Sequence, residues 1–237
     1  AEELGIELPE APKAKELTAE VNDTENLVEV VVELSNAELA DELKLENVSN
    51  YKLSGGRTVE SAKLVGDDVV LLVDTDNPLV KGREYTLTIR NIDRAINKEY
   101  KFKAYDNTVP TVESVEVLGE YGIKITTSEP VEELLERNIL IDGRRTSMIV
   151  EQYGRDIIIR PYHERSFDKD ATELEILEIK DFAGYRSTVI REEIEITKDE
   201  VAPEVVSSTM SGNKVTVVFD KDVYQPSVKA YASTRSL

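Results

Sequence analysis

"TVPTVESVEV", residues 108–117, returns as "EVAPEVVSST", residues 200–209. In each stretch a proline follows a short apolar residue, and apolar residues are then set among polar ones. What comes next is alike too, "GIKITTSEPV" after the first and "NKVTVVFDKDV" after the second. Pro110 and Pro203 lie 93 residues apart, the length of one small β-sandwich rather than of a solenoid repeat. The echo therefore marks the starts of successive domains. A proline there cannot donate to a strand ladder, so it belongs at a strand entry or edge, where it stiffens the junction.

Working outward, the chain reads as short β segments. "LVEVVVEL" (27–34), "DVVLLVDT" (68–75), "EYTLTIRNI" (84–92) and "EYKFKAY" (99–105) are β-branched or aromatic and bounded by Gly, Asn, Asp or Pro. After Pro110 the same programme runs through "VESVEVL", "GIKITTS", "RDIIIRP" (155–161), "TELEILEI" (172–179) and "VIREEIEIT" (189–197). Several alternate strictly, which buries one face of each strand and solvates the other, as antiparallel sheets allow. Two packed sheets per repeat follow. "NAELADELKLEN" (36–47) and "EPVEELLERN" (129–138) place apolar residues at helical spacing after a strand in each repeat, predicting a short helix or turn across one end. Gly184 and the Gly55–Gly56 pair supply the positive φ that turns require.

These signals divide the chain into a lead-in segment or linker (1–14), one sandwich domain (15–107), a second (108–200) and a partial third repeat (201–237). The last is 37 residues long, below the roughly 40 at which a domain rarely stands alone. The chain is expected to be a fragment of a longer array.

Composition narrows the function. With 29 Lys+Arg against 48 Asp+Glu the net charge is −19, which opposes capture of nucleic acid, of an anionic membrane or of anionic wall polymers. Cations are the natural counterpart. No cysteine is present, so disulfides, thiolate metal sites and a cysteine nucleophile are excluded. No apolar run approaches the roughly 18 residues of a membrane span. No basic region precedes an apolar core at the N-terminus, so any export signal is expected to have been removed or left out.

"DNTVPTVESVEVLGEYGIKITTSEPVEE", "NYKLSGG" at 50–56 and "EIKDFAGYRST" at 178–188 together resemble the bacterial immunoglobulin-like repeats of surface-layer proteins from Gram-positive bacteria. Those repeats open on a proline, carry S/D-E/K-x-V after the second strand and N-Y-x-L-x-G in the middle, and end near K-D-x-A-G-N. The match covers nearly the whole chain. It departs at "NIDRAINKE", which has no glycine where the first copy should turn, and at "RNILIDG", which has no Tyr in the second copy's middle motif. The resemblance implies an all-β fold of tandem immunoglobulin-like β-sandwich domains with short helical turns. It further implies a structural component of a bacterial surface layer, outside the cell, that self-assembles with copies of itself into a two-dimensional lattice. Anchoring to the wall would fall to domains outside this fragment. The competing implication is an adhesin or a carbohydrate-binding accessory module of a secreted multidomain protein; a phage virion decoration is a third.

Catalysis has little to work with. The one histidine, His163 in "RPYHERSF", lacks a nucleophile elbow or a base-orienting motif, and phosphate loops, zinc spacings and EF-hand loops are absent. We expect no enzyme. Ca2+, which takes six to eight oxygen ligands, is the candidate cofactor. Oxygen clusters stand at Asp67–Asp68, at "DTDN" (Asp74, Asp76, Asn77), at "YDNT" (Asp106, Asn107) and at Asp168 and Asp170. Acidic loops also serve simply to solubilise a surface. "DTDN" and "YDNT" rank first, because Asp106 and Asn107 lie at the junction between repeats, where a cation would rigidify the hinge. Among ten Tyr and no Trp, Tyr51, Tyr85 and Tyr100 fall within strands and read as packing residues rather than a sugar-stacking platform.

Overall fold

The structure, a computed structural model, describes residues 15–162, 166–198, 200–211, 214–221 and 223. The lead-in 1–14, His163 and residues 224–237 lie outside the described residues.

Seven strands build a first sandwich: β1 (Thr18–Glu20), β2 (Glu29–Ser35), β3 (Tyr51–Leu53), β4 (Val59–Val65), β5 (Asp68–Val73), β6 (Glu84–Ile89) and β7 (Glu99–Lys103). Hydrogen bonding orders them β1-β2-β5-β4 in one sheet and β3-β6-β7 in the other. Seven more follow: β8 (Val112–Val117), β9 (Ile123–Thr127), β10 (Ile139–Ile141), β11 (Met148–Tyr153), β12 (Asp156–Pro161), β13 (Glu173–Ile176) and β14 (Ile190–Glu193). Their sheets run β8-β9-β12-β11 and β10-β13-β14, the same order strand for strand. Every strand pairing is antiparallel, giving an all-β chain of tandem immunoglobulin-like sandwiches.

An antiparallel pair of β15 (Val205–Ser211) and β16 (Lys214–Phe219) follows. The register slips between Val112 and Ser114 where β8 pairs with β9, and between Val205 and Ser207 where β15 pairs with β16. The same bulge thus recurs 93 residues on, as a structural counterpart of the sequence echo.

Alternation sets the cores. In β2, Val30, Val32 and Leu34 turn inward; opposite them lie Tyr85, Leu87 and Ile89 of β6 and Tyr100 and Phe102 of β7. In the second sandwich Ile123, Ile125, Ile157 and Ile159 face Ile139, Leu174 and Ile176. Each such side chain, fully buried, contributes about 1.5–3 kcal/mol. The strand tyrosines are packing residues: Tyr85 stacks on Phe102 with ring centres 6.0 Å apart, and the Tyr51 hydroxyl donates to the Leu45 carbonyl at 2.6 Å. Gly55, at φ 71°, lies so close that a β-carbon would meet the Tyr85 ring at 3.1 Å.

The two expected helices part company. In the first repeat α1 (Glu42–Leu45) forms, capped by Asp41, whose side chain accepts from the Leu43 amide. In the second, only a 3-10 turn at Glu136–Asn138 forms. There Val131 bridges to Asp181, and the Glu132 amide donates to the Lys180 carbonyl at 2.7 Å. Pairing with the Lys180–Asp181 segment holds the chain extended and overrides the helical spacing.

Candidate metal centre

Asp106 is delivered by the end of β7. The Tyr105 amide donates to Thr24 Oγ1 at 3.0 Å, that hydroxyl donates back to the Tyr105 carbonyl at 3.1 Å, and the Gly82 amide donates to the Ala104 carbonyl at 2.7 Å. Gripped on both sides, the chain turns the Asp106 side chain inward, where it is fully buried.

Glu129 stands where β9 stops. The Thr127 hydroxyl donates to the Glu129 carbonyl at 2.6 Å, and Thr111 and Ser128 bond each other, Thr111 N–H to Ser128 Oγ and Ser128 N–H to Thr111 O. Pro130 has no N–H with which to continue the ladder. The Glu129 carboxylate is left beside the linker, 3.4 Å from the Thr108 hydroxyl.

Asp181 organises the "KDFAG" turn. One carboxylate oxygen accepts from the amides of Ala183 and Tyr185, both at 2.8 Å, and Gly184 takes φ 92°. The other oxygen has no hydrogen-bond partner.

These three carboxylates converge. One oxygen from each lies within 4.8 Å of the others, and the residues are 0%, 4% and 0% exposed for Asp106, Glu129 and Asp181. Both oxygens of Asp106, Oε2 of Glu129 and Oδ2 of Asp181 are buried without a hydrogen-bond partner. Buried charge in that condition is costly. Burial, and then the charge of Asp181, pushes the Asp106 carboxyl up to about 6. Glu129 is pushed up to about 8, first by burial and then by Asp106 and Asp181. The Thr108 backbone, and after it Lys81, oppose the shift on Asp106 only in part.

A cation removes the conflict. Ligands of one ion bound at about 2.4 Å stand at most about 4.8 Å apart, so all three oxygens fit a single coordination shell. An all-carboxylate set without nitrogen or sulfur selects a hard, oxygen-loving divalent ion. The buried acidic cluster can therefore hold a metal ion.

The same residues sit on the contact between the sandwiches. Phe182 and Ala183, in the turn that Asp181 organises, pack against the hydrophobic core of the first sandwich. Lys81 Nζ donates to the Tyr185 hydroxyl at 2.9 Å and lies 5.0 Å from the centre of its ring. On the other flank the Arg155 guanidinium grips the buried carboxylate of Glu29 at 2.7–3.2 Å, and Asn26 orients Glu29 by a further bond at 3.0 Å. Beside this pair a groove of about 1250 Å³ opens, with Glu60, Gln152 and the exposed Tyr153 on its walls.

Of the residues singled out in the sequence, Asp106 enters the cluster, while Asn107 next to it is exposed. Asp74, Asp76 and Asn77 bond within their own neighbourhood. Asp74 accepts from the Asp76 amide at 2.9 Å and from the Thr58 hydroxyl at 3.3 Å. Asn77 donates to the Gly56 carbonyl and accepts from Arg57. Asp168 likewise caps its own turn through the Asp170 amide. In the sequence Glu129 belongs to the "SEPV" motif and opens the "EPVEELLERN" stretch, and Asp181 belongs to the "KDFAG" motif, and neither stands out as a ligand. The available signal is that each puts an acid at a strand end or turn.

No family model matches the chain. It is 32% identical over 211 residues to the "Surface-layer 125 kDa protein" of Lysinibacillus sphaericus, covering 86% of this chain and 18% of that protein. It is 22% identical over 212 residues to the "Outer cell wall protein" of Brevibacillus brevis, covering 88% and 20%. The chain spans about a fifth of the length of these relatives. Among solved structures, the N-terminal part of the bacterial S-layer protein SbsC overlaps with a TM-score of 0.33 at 9% identity, over 77% of this chain and 44% of that one. The tandem Ig repeats of Dlar overlap with a TM-score of 0.25 at 9% identity, over 76% and 97%. Superpositions this loose carry no argument, and the fold rests on the strand order.

Proposed function

Because the chain is a homologue of bacterial surface-layer proteins and belongs, as they do, to the outside of the cell, we propose that it is a structural segment of a surface-layer lattice built from many copies of one protein. Its domains run 15–107 and 108–200, with a third begun at 201. Wall anchoring falls to parts of the protein beyond this segment, and the role is geometric rather than catalytic. The observation that carries this reading is the built contact between the sandwiches, in which Phe182 and Ala183 pack against the neighbouring core. A fixed angle between domains holds lattice interfaces at fixed spacing, so that many weak contacts add up.

Calcium is the ion assigned to Asp106, Glu129 and Asp181, since it tolerates irregular oxygen shells better than magnesium, which demands a near-ideal octahedron. The Asp74, Asp76 and Asn77 loop and Asn107 remain weaker candidates, supported by their oxygen content alone. The net charge of −19 holds free subunits apart until divalent ions bridge or screen it.

The test is negative-stain microscopy of the full-length protein dialysed with and without millimolar calcium. Ordered sheets only with calcium are the expected outcome, and monomers in both conditions would sink the lattice reading. A second reading, carbohydrate binding, is favoured by one observation: Tyr153 is 62% exposed and lines the interdomain groove. Retention on wall polysaccharide that Tyr153→Ala abolishes would support it.

A further inference from the structure

The position after the second strand of each repeat is filled by three different side chains, and all three turn toward the segment that leads into their own repeat. Glu129 follows Ser128, which is paired through its amide and hydroxyl with Thr111. Lys221 follows Asp220, which is paired in the same way with Glu204: the Glu204 amide donates to Asp220 Oδ1 at 2.7 Å, and the Asp220 amide to the Glu204 carbonyl at 3.0 Å. Asn36 follows Ser35, whose register partner is Thr18, 93 residues before Thr111.

What these side chains do at the linker differs. Asn36 Nδ2 donates to the Glu16 carbonyl at 2.8 Å. Lys221 Nζ donates to the carbonyl of Val201, the residue 93 after Thr108. Amide and ammonium are donors, and each grips the linker backbone directly. An ionised Glu129 is an acceptor only. It cannot bond a carbonyl, and it turns instead into a cluster with Asp106 and Asp181. The charges agree with this division. Exchanging Glu for Lys changes the local charge by two units, the charge of one divalent cation. In sequence an aspartate, Asp199, stands 93 residues after Asp106.

We infer that this single position sets the chemistry of each joint, and that Lys221 supplies with a tethered ammonium what a bound divalent cation supplies beside Glu129. The joint between the first two sandwiches is then ion-dependent, and the next one is closed without metal. This rests on the calcium reading of the cluster and adds to it a rule for which joints need the ion.

The test compares Glu129→Lys and Glu129→Ala in the full 237-residue chain by limited proteolysis at the linker 106–110, with calcium or with chelator. In chelator, Glu129→Lys is expected to be cut roughly tenfold more slowly than Glu129→Ala, because cleavage tracks the population of the open joint. Calcium should slow cleavage of the wild type and leave Glu129→Lys unchanged. Equal cleavage of the two variants in chelator would overturn the inference. A wild type indifferent to calcium would instead remove the calcium reading, which the variant comparison does not presuppose. If circular dichroism shows Glu129→Lys unfolded, Lys221→Glu in the full-length protein decides. Its linker at 200–203 should become readily cut in chelator, and cleavage unaltered from wild type would overturn the inference.

Discussion

The loop at Asp74–Asn77 and the cluster of Asp106, Glu129 and Asp181 both gather side-chain oxygens and end in opposite states. In the loop, Asp74 and Asn77 accept from an amide, a hydroxyl and a guanidinium close by. In the cluster, four carboxylate oxygens are buried with no partner. An acidic loop that satisfies itself has little to gain from an ion, whereas an acidic cluster left unsatisfied in the interior has an unmet electrostatic demand. Oxygen count does not mark a site; unmet oxygen does.

The comparison breaks most decisively at Asp181, which serves both cluster and fold. Asp181→Ala is expected to destabilise the chain by about 2–4 kcal/mol, because it leaves the Ala183 and Tyr185 amides without their acceptor and loosens the turn that seats Phe182. Chemical denaturation would check this, and a change below about 0.5 kcal/mol, the usual size at a surface site, would erase the distinction. Next in size is the ion itself. Calcium at a hundred times its dissociation constant should stabilise the folded chain by about 2.7 kcal/mol. The melting temperature in chelator should fall accordingly, and an unmoved Tm would leave the cluster without an ion.

Smaller is the pH response of the cation-free chain. With Asp106 raised to about 6 and Glu129 to about 8, the folded state keeps protons that an unfolded chain, titrating near pH 4, has already released. Stability without calcium should therefore rise as pH falls from about 8 toward about 5, and level off once the unfolded chain is protonated too. With calcium in excess the slope should reverse, since protons then compete with the ion. Tm scans with and without chelator check the sign. The smallest effect belongs to the loop: Asp76→Ala should change stability by no more than about 0.5 kcal/mol and leave the calcium response of Tm as it was.

Much of the fold could be read from the chain because a strand's instruction is local. Val30, Val32 and Leu34 alternate within one segment, and Gly184 stands where the turn needs positive φ. Where "NIDRAINKE" lacks that glycine, Ile96 fills the matching place, its amide donating to the Asp93 carbonyl at 3.2 Å as the Gly184 amide does to Asp181, and the positive φ stands instead at Asn91, 58°, which asparagine tolerates. The second helical stretch yields a 3-10 turn rather than a helix for a non-local reason, since its first residues pair with a turn some 50 positions later. The cluster failed to show itself for the same reason. Asp106 was conspicuous at a junction, but Glu129 and Asp181 come from two other loops, and only folding brings them together.

Phe182 and Ala183 belong by chain to one sandwich and by packing to the one before it. A sandwich deprived of its successor loses part of its apolar cover, so the strength of each unit depends on its neighbour. Mechanically, such an array behaves less like beads on a string than like overlapping roof tiles: tension that dislodges one tile uncovers the next upstream, and the two should yield together rather than one at a time.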